Sequence, residues 1–440
     1  MKKKGSAHIL CVVLALAAIC FSLPVSAHAQ TESVIYSFPG GYPGNYAWGT
    51  PIFDKGGNLY GTAYEGAGCC GVVFKLAPLP GGKWRQTVLH GFAAGTYGSY
   101  VQAGLVQDAA GNIYGATNLG GDLSVYCYYP GCGVIFELSP TASGPWKETV
   151  LHKFTGGKDG GAPNGGLVID SAGNLYGTTL LGGDTTACTN VIGNGCGVVF
   201  KLSNAGVSGW RETVLRTFTA GPGGVGPNGG LVFDGDGNLY GTAGGGADAK
   251  GVVFQLTPSS GGEWTEHVLH TFNNEGYPGA GVIFDKAGNL YGSTQDFAAT
   301  CPASGDCGSV FELSPTSTGL WNETILHTFT GSSNGDGAYP HDLAFDATGN
   351  IYGTTEFGGL YTVDACDFDG CGTVFKLSPA SDGSWNETMH YSFTGGTDGQ
   401  RPLSGVAVDS SGNLFGETSL GGTPTAACGF ACGVVFKITP

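Results

Sequence analysis

His341, Asp342 and Arg401 interrupt an otherwise regular glycine pattern with side chains that can move protons or hold charge. His341-Asp342 stands where a related segment reads Gly165-Gly166, and Arg401 falls in the equivalent connection one segment later. A histidine, a carboxylate and a guanidinium around one opening suit an anionic sugar or acid–base chemistry; the alternative is unrelated drift in loops. A second group is aromatic. Trp48, with Tyr42 and Tyr46 close by, begins a series continued by Tyr97, Tyr100, Tyr126, Tyr128 and Tyr129. Rings with one polar edge make platforms for carbohydrate or a protein partner, and equally pack within their own loops.

Cysteine is the third group. Two of the 14 lie near the N-terminus, and the others form six local pairs: Cys69/Cys70, Cys127/Cys132, Cys188/Cys196, Cys301/Cys307, Cys366/Cys371 and Cys428/Cys432. A zinc site needs four ligands converging from two pairs, which pairs on separate units cannot supply, so disulfides in an oxidising compartment are expected. Each closes a loop of a few residues, worth about 2 kcal/mol by chain entropy. Cys69 and Cys70 are adjacent, so a bridge between them strains their peptide, and free thiols are the alternative.

Other chemistry is weaker. Asp234-Gly235-Asp236-Gly237-Asn238 alternates ligand-type residues as a calcium loop does, but lacks the distal acid that completes six or more oxygens; a hairpin turn explains it and its six relatives. A divalent cation is therefore a minor alternative, and no cofactor is expected. His90, His152, His270 and His327 share one repeat position with Tyr36, Arg216 and Tyr391, which reads as a half-exposed packing site. Serine-hydrolase, phosphate-loop, dinucleotide and zinc-protease motifs are missing. Paired carboxylates for glycoside hydrolysis stay open, because sequence gives no separations between them.

The elements that must position these residues come from a repeat. Gly-Asn-(Leu/Ile)-(Tyr/Phe)-Gly recurs with its Asn at 58, 112, 174, 238, 289, 350 and 413, at spacings of 51 to 64 residues. Gly-x-(Val/Ile)-Phe follows each time, then a string close to Glu-Thr-Val-Leu-His-x-Phe in six units; the seventh copy of that string sits at the start, as Glu32 to Phe38. Four short apolar runs bounded by Gly, Pro, Asn and Asp predict four strands per unit. In the third unit they are Gly166 to Asp170, Leu175 to Thr179, Gly197 to Leu202 and Glu212 to Phe218, here called a, b, c and d. Radial repetition of such a sheet predicts an all-β, seven-bladed β-propeller over residues 30–440. Its four-stranded antiparallel blades close when the N-terminal strand completes the last one, which removes the open edge. Connections a–b and c–d are short and uniform. The b–c and d–a connections are long and variable, and they share the other face, where recognition is expected.

The linked motifs Asp-x-x-Gly-Asn-Leu-Tyr-Gly-Thr, Gly-Val-Val-Phe-Lys-Leu-Ser-Pro and Glu-Thr-Val-Leu-His-x-Phe-Thr-Gly-Gly resemble the GloVer tandem repeat, also called the Gloeo/Verruco repeat, of exported bacterial proteins with a choice of anchor. That resemblance implies an exported, propeller-like protein of unassigned biochemical role, and it transfers no catalytic residue. A looser resemblance, confined to Asp-x-x-Gly-Asn-Leu-Tyr, is to NHL and gluconolactonase-like propellers, some of which are metal-dependent lactonases or lyases.

Lys2 to Lys4, the apolar run Ile9 to Leu23 and Ala27-His28-Ala29 fit a secretory signal peptide over residues 1–29. No later run suits a membrane span. With no sorting or anchoring tail after the last repeat, a monomer released to the periplasm or medium is expected. Removing the leader leaves 15 basic residues against 34 acidic ones, a charge of −19 with His neutral, so nucleic acid is excluded as a partner. The expected role is an extracellular module binding polysaccharide or another exported protein around Trp48, Tyr46, Tyr42, His341, Asp342 and Arg401. The alternative is a hydrolase or lyase acting on glycans or lactones at the channel mouth.

Overall fold

The computed structural model describes residues 31–439 apart from 67–68, 94, 126, 128–129, 143, 189–194, 246–249, 274–275, 296–306, 332–334, 362–365, 367–368, 426–427 and 429–431. The leader, Tyr126, Tyr128, Tyr129 and Cys301 lie outside the described residues. Seven antiparallel sheets of four or five strands form a β-propeller. No helix among the described residues is long and apolar enough to cross a membrane.

Blade three shows the plan. Strand β12 (Val168–Ile169) pairs with β13 (Leu175–Leu181), β13 with β14 (Val198–Asn204), and β14 with β15 (Trp210–Thr217). The inner strand is shorter than the sequence predicts: only Val168–Ile169 pairs there, while β11 (Gly161–Pro163) pairs with the far half of β13. Between them Asn164 to Leu167 leave the ladder, because neighbouring inner strands converge on the axis. A Cβ on Gly229 would come within 2.6 Å of the Gly281 nitrogen, and one on Gly405 within 2.7 Å of the Asp342 carbonyl oxygen. Glycine is what this crowded ring admits.

Closure follows the expected scheme. Strand β1 (Thr31–Ser37) lies antiparallel to β31 (Val434–Thr439), from Thr31 opposite Thr439 to Ser37 opposite Val434. The N- and C-terminal strands thus share blade seven.

Each a–b hairpin is folded by its own aspartate. The Asp170 carboxylate accepts the amides of Ala172 and Asn174, the Asn174 side-chain amide and the Tyr176 hydroxyl. Burial alone would raise the Asp170 pKa, but these four donors bring it below its ordinary value. Asp234 is used in the same way by Asp236, Asn238 and Tyr240, so its oxygens are committed to the turn rather than to calcium.

The blades are joined by contacts that repeat at every seam. The Phe that ends strand d meets the Phe of strand c in the next blade, as in Phe154–Phe200 at 5.2 Å and Phe218–Phe254 at 5.4 Å. The closing seam has the same pair, Phe38–Phe74 at 5.3 Å. Toward the short-loop face, each Trp that opens strand d packs on the strand-b ring of the preceding blade, as Trp264 does on Tyr176. The repeated His position is more than packing. His90 and His270 face Glu148 and Glu323 across their seams at 3.5 Å, Arg216 faces Glu266 at 2.6 Å, and the Tyr36 hydroxyl donates to Gln86 at 2.8 Å. Burial pushes the carboxyls of Glu148 and Glu212 up to about 7.

One seam carries a compensated exception. In blades two to four, a Leu on the inner strand (Leu105, Leu167 or Leu231) packs over the glycine of strand b. Blade one has Pro51 there, and Glu417 of blade seven fills the space instead, so that a Cβ on Gly61 would overlap its carboxyl. Glu417 is 1% exposed, and neither of its oxygens has a hydrogen-bond partner. Burial raises its pKa well above the ordinary carboxylate value.

Two outcomes are expected. Deleting residues 31–38 unpairs β31 and exposes the Phe74 pocket, so the truncated chain should lose its cooperative melting transition and bind a hydrophobic dye. For Glu417 the folded state keeps a proton that the unfolded chain releases above about pH 4.5, so stability falls as pH rises through the window above that value. Glu417→Gln should therefore raise the melting temperature at pH 8 by more than at pH 5; an equal change at both would show that the carboxyl's ionisation is not what costs stability.

Candidate functional site

In six of the seven blades the d–a connection reaches the axis through one residue in the left-handed region. Tyr46, Tyr100, Ala162, Tyr339 and Arg401 have φ between 53° and 61°, and Gly226 holds the matching place in blade four at 55°. The amide of each donates to the carbonyl of the second cysteine in the preceding blade: Tyr46 to Cys432, Tyr100 to Cys70, Ala162 to Cys132, Gly226 to Cys196, Tyr339 to Cys307 and Arg401 to Cys371, at 2.7 to 3.0 Å. The disulfides thus do more than shape their own loops, because they fix the carbonyls that hold the next blade's axial residue. The sulfurs of Cys69–Cys70, Cys127–Cys132, Cys188–Cys196, Cys366–Cys371 and Cys428–Cys432 lie at disulfide distance, the adjacent pair included. The glycine after the second cysteine has its own reason in four blades: a Cβ on Gly133, Gly197, Gly308 or Gly372 would strike the following blade's proline ring, Pro163 in the case of Gly133.

The left-handed region costs a non-glycine residue about 1–2 kcal/mol. Gly226 shows that glycine serves the backbone, and a Cβ there would meet nothing nearer than 3.7 Å. Three tyrosines and an arginine occupy the position regardless. Three of those four side chains, Tyr46, Tyr339 and Arg401, line one axial cavity of about 960 Å³.

The structure brings Tyr46, Trp48, His341, Asp342 and Arg401 together in that cavity. It leaves out Tyr42, which is 63% exposed on the loop surface, and Tyr97, which is similarly exposed. The lining is lopsided. On the side of blades one and two the rings of Trp48, Tyr64 and Tyr100 run in sequence, with centroids 5.5 and 4.6 Å apart. On the side of blades five to seven the wall is polar: Gln295, His341, Glu356, Arg401 and Ser419.

His341 is placed by its neighbours. Its carbonyl accepts from Ser293 Oγ at 3.0 Å, and its Nδ1 lies 3.3 Å from the Gln295 amide nitrogen. Burial pushes the imidazole down to about 4, so it is neutral at physiological pH. Nε2 stands 3.9 Å from Glu356 Oε2, beyond hydrogen-bonding distance. Burial raises the Glu356 carboxyl, and the nearby Arg401 guanidinium opposes that rise. Arg401 also lies over the Phe357 ring at 5.0 Å. The guanidinium thus lies near a carboxylate and over a ring face.

Asp342 has a different task. Its carboxyl receives Thr50 Oγ1 of blade one at 3.3 Å and the Gly281 amide of blade five. Thr50 Oγ1 in turn accepts the Gly405 amide at 3.1 Å. Asp342 therefore ties three blades at the waist of the channel. Burial raises its pKa against these hydrogen bonds.

Sequence reasoning missed Tyr64, Gln295, Glu356 and Ser419. All four stand at one place, just past the Gly-Thr-Thr end of strand b, where other blades have Asn118, Leu180 and Gly244. The signal was the abrupt change of residue type after a stretch that varies little between the repeats. Among the described residues no group of three or more His, Cys, Asp or Glu side chains could hold a metal ion.

A family model described as the Gloeobacter/Verrucomicrobia repeat matches residues 20–191 and 128–363. No curated protein is similar enough to be matched to the chain. Among solved structures, an ancestral GH74 enzyme aligns with a TM-score of 0.54 at 11% identity, over 90% of this chain and 48% of that one. A gluconolactonase from Xanthomonas campestris aligns at 0.42 and 14% identity, over 75% and 87% of the two chains, and a luciferin-regenerating enzyme at 0.43 and 14%, over 93% and 95%. At these identities the likeness concerns the propeller fold alone.

The strained position makes a direct test. Gly226→Ala should lower stability by about 1 kcal/mol and Ala162→Gly should raise it by a similar amount, measured by thermal melting. A neutral Gly226→Ala would mean that the axial side chains cost nothing to keep.

Proposed function

The chain belongs to the Gloeobacter/Verrucomicrobia repeat family, and we propose that it is an extracellular binding module that takes a carbohydrate chain into its axial cavity. One observation carries this reading. Tyr46, Tyr339 and Arg401 keep large side chains at a backbone position that glycine fills without strain, and those side chains line the cavity. Strain held at one place is repaid by what the side chains contact.

The lining suits a sugar. A pyranose has one apolar C–H face and a rim of hydroxyls. The rings of Trp48 and Tyr64 supply the flat apolar partner, and amides, carboxylates and hydroxyls on the opposite arc supply donors and acceptors. The five described disulfides agree with an oxidising compartment. A protein partner would need a broad surface, whereas these groups converge in a hollow.

A second reading has its own support. Glu356, with its carboxyl held above the ordinary range, stands beside the neutral His341, an arrangement suited to acid–base chemistry on a glycan or lactone.

Retention of the purified protein on immobilised polysaccharides separates the two. Binding without release of product is expected. Trp48→Ala should then weaken binding about tenfold, equivalent to about 1.4 kcal/mol, with the melting temperature unchanged. Parallel loss of binding and stability would make Trp48 a structural residue, and release of shortened product would favour the enzyme.

A further inference from the structure

We infer that the axial cavity receives the end of a saccharide chain and not its middle, with the terminal sugar seated on Trp48 against the carboxamides of Gln102 and Asn228. This rests on the carbohydrate reading above and narrows it to chain termini.

The segments that enter strand a run toward the axis as extended chain, so alternate residues face the channel. In blade two Tyr100, Gln102 and Gly104 are half-buried, while Val101, Ala103 and Leu105 are buried. The same alternation recurs in blades one, four and five, and it builds the channel wall in three tiers. The left-handed residues form the mouth. Beneath them Trp48, Gln102, Asn164, Asn228, His341 and Leu403 form a second tier, all half-buried and all lining the cavity. Trp48 and His341 are matched by their backbones, since their amides donate to the equivalent carbonyls of Thr62 and Thr354 at 3.3 and 3.0 Å. Blade five has Gly279 at this level, where a Cβ would overlap the Gln295 amide. Carboxamides therefore reach the second tier from four consecutive blades.

The third tier is almost bare backbone, and it closes the ring. A Cβ on Gly166 would lie 3.8 Å from Gly104, one on Gly230 3.7 Å from Gly166, and one on Gly281 2.8 Å from the Gly230 carbonyl oxygen. Asp342, Thr50 and Gly405 complete the circle through their hydrogen bonds. Seven backbones about 4.8 Å apart make a ring about 11 Å across, and ligand atoms that keep about 3.7 Å from each wall have roughly 3–4 Å left for their centres. Asp342 and Thr50 narrow that further. The cavity continues below as far as Ile52 and Val168, so the constriction passes water but not a pyranose with its hydroxyls.

Trp48 stands two residues above this ring, at most about 7 Å along the chain. A sugar stacked on its indole has the constriction beneath it and seven blades around it, and only the mouth is open. The rest of its chain has one exit, whereas an internal residue needs two. A terminal residue also keeps a hydroxyl that an internal one spends in its glycosidic bond. The groups to meet it are present. The Gln102 carboxamide and Asn228 Nδ2 make no hydrogen bond among the described residues, and neither is closed off from the cavity. Asn164 Nδ2 donates to Asn228 Oδ1 at 2.5 Å, which leaves Asn228 Nδ2 for a ligand.

Counting binding sites against chain length tests this. The mature protein is titrated with mixed-linkage β-glucan, xylan, mannan and amylose, each intact and cut to several mean lengths, and with the corresponding tetrasaccharides. Only binding that Trp48→Ala abolishes is scored, so that the count refers to this cavity. Sites per gram should rise in proportion to chain ends, about tenfold for chains cut about tenfold shorter. Gln102→Ala and Asn228→Ala should each weaken a bound tetrasaccharide about fivefold, with the melting temperature unchanged. If Trp48→Ala does not fold, binding weakened by these two substitutions is scored instead. Sites per gram that stay constant as chains shorten would show that internal segments are taken, which overturns the inference and leaves the carbohydrate reading standing. Tetrasaccharide binding indifferent to both amide substitutions overturns the seat of the terminal sugar. Absence of scored binding to every probe overturns both readings.

Discussion

Everything in this protein depends on a seam that is made seven times. A single four-stranded blade cannot bury its own inner-strand and outer-strand side chains, so each blade completes the core of its neighbour. The Phe pairs are the centre of that arrangement: all fourteen rings are at most 1% exposed, and removing one such ring costs about 3–5 kcal/mol. Because the seam between blades seven and one has the same Phe pair as the others, the ring has no weak start or finish. The strand swap at the termini makes this possible by letting a covalently open chain present seven closed blades.

The cavity is a product of the same seams. Disulfide-bearing loops of one blade fix the carbonyls that hold the next blade's axial residue, so the lining is assembled between blades rather than within them. Asp342 and Thr50 tie the waist across the ring. The polar arc on blades five to seven and the aromatic arc on blades one and two are therefore held at fixed separation by the scaffold, as a binding site with little freedom to adapt requires. The backbone strain at Tyr46, Tyr339 and Arg401 is held because each amide is fixed by a carbonyl of the preceding blade.

Much of the fold was legible in the sequence because its signals are local. The Asp-x-x-Gly-Asn turn, the alternating strands and the displaced copy of strand d each encode their own structure, and they gave the number of blades and the mode of closure. The inner strand was overestimated because its apolar run continues through residues that bow toward the axis, a consequence of ring geometry that no single unit records. The site was legible in part. Trp48, His341, Asp342 and Arg401 stood out as breaks in the repeat, and they do share one cavity. Their roles were not legible: Arg401 lies over the Phe357 ring, and Asp342 is bonded into the waist. Tyr64, Gln295 and Glu356 escaped notice because they end a strand whose beginning is nearly invariant. Tyr42 was chosen for proximity along the chain, which a loop surface does not convert into proximity in space.

The seven seams are not equally cross-linked. Blade four is the unit with no cysteine pair, with Lys250 at the place of the second cysteine, and the connection into blade five is three residues shorter from Phe272 to Pro278 than from Phe154 to Pro163, with Tyr277 before the proline outside the left-handed region. The Phe272–Phe311 contact and the His270–Glu323 pair persist there, while the Tyr277 amide donates to the Gln295 carbonyl of its own blade at 2.7 Å. The axial residue of blade five is thus anchored within its own sheet, whereas the six others are anchored by the loop of the blade before them.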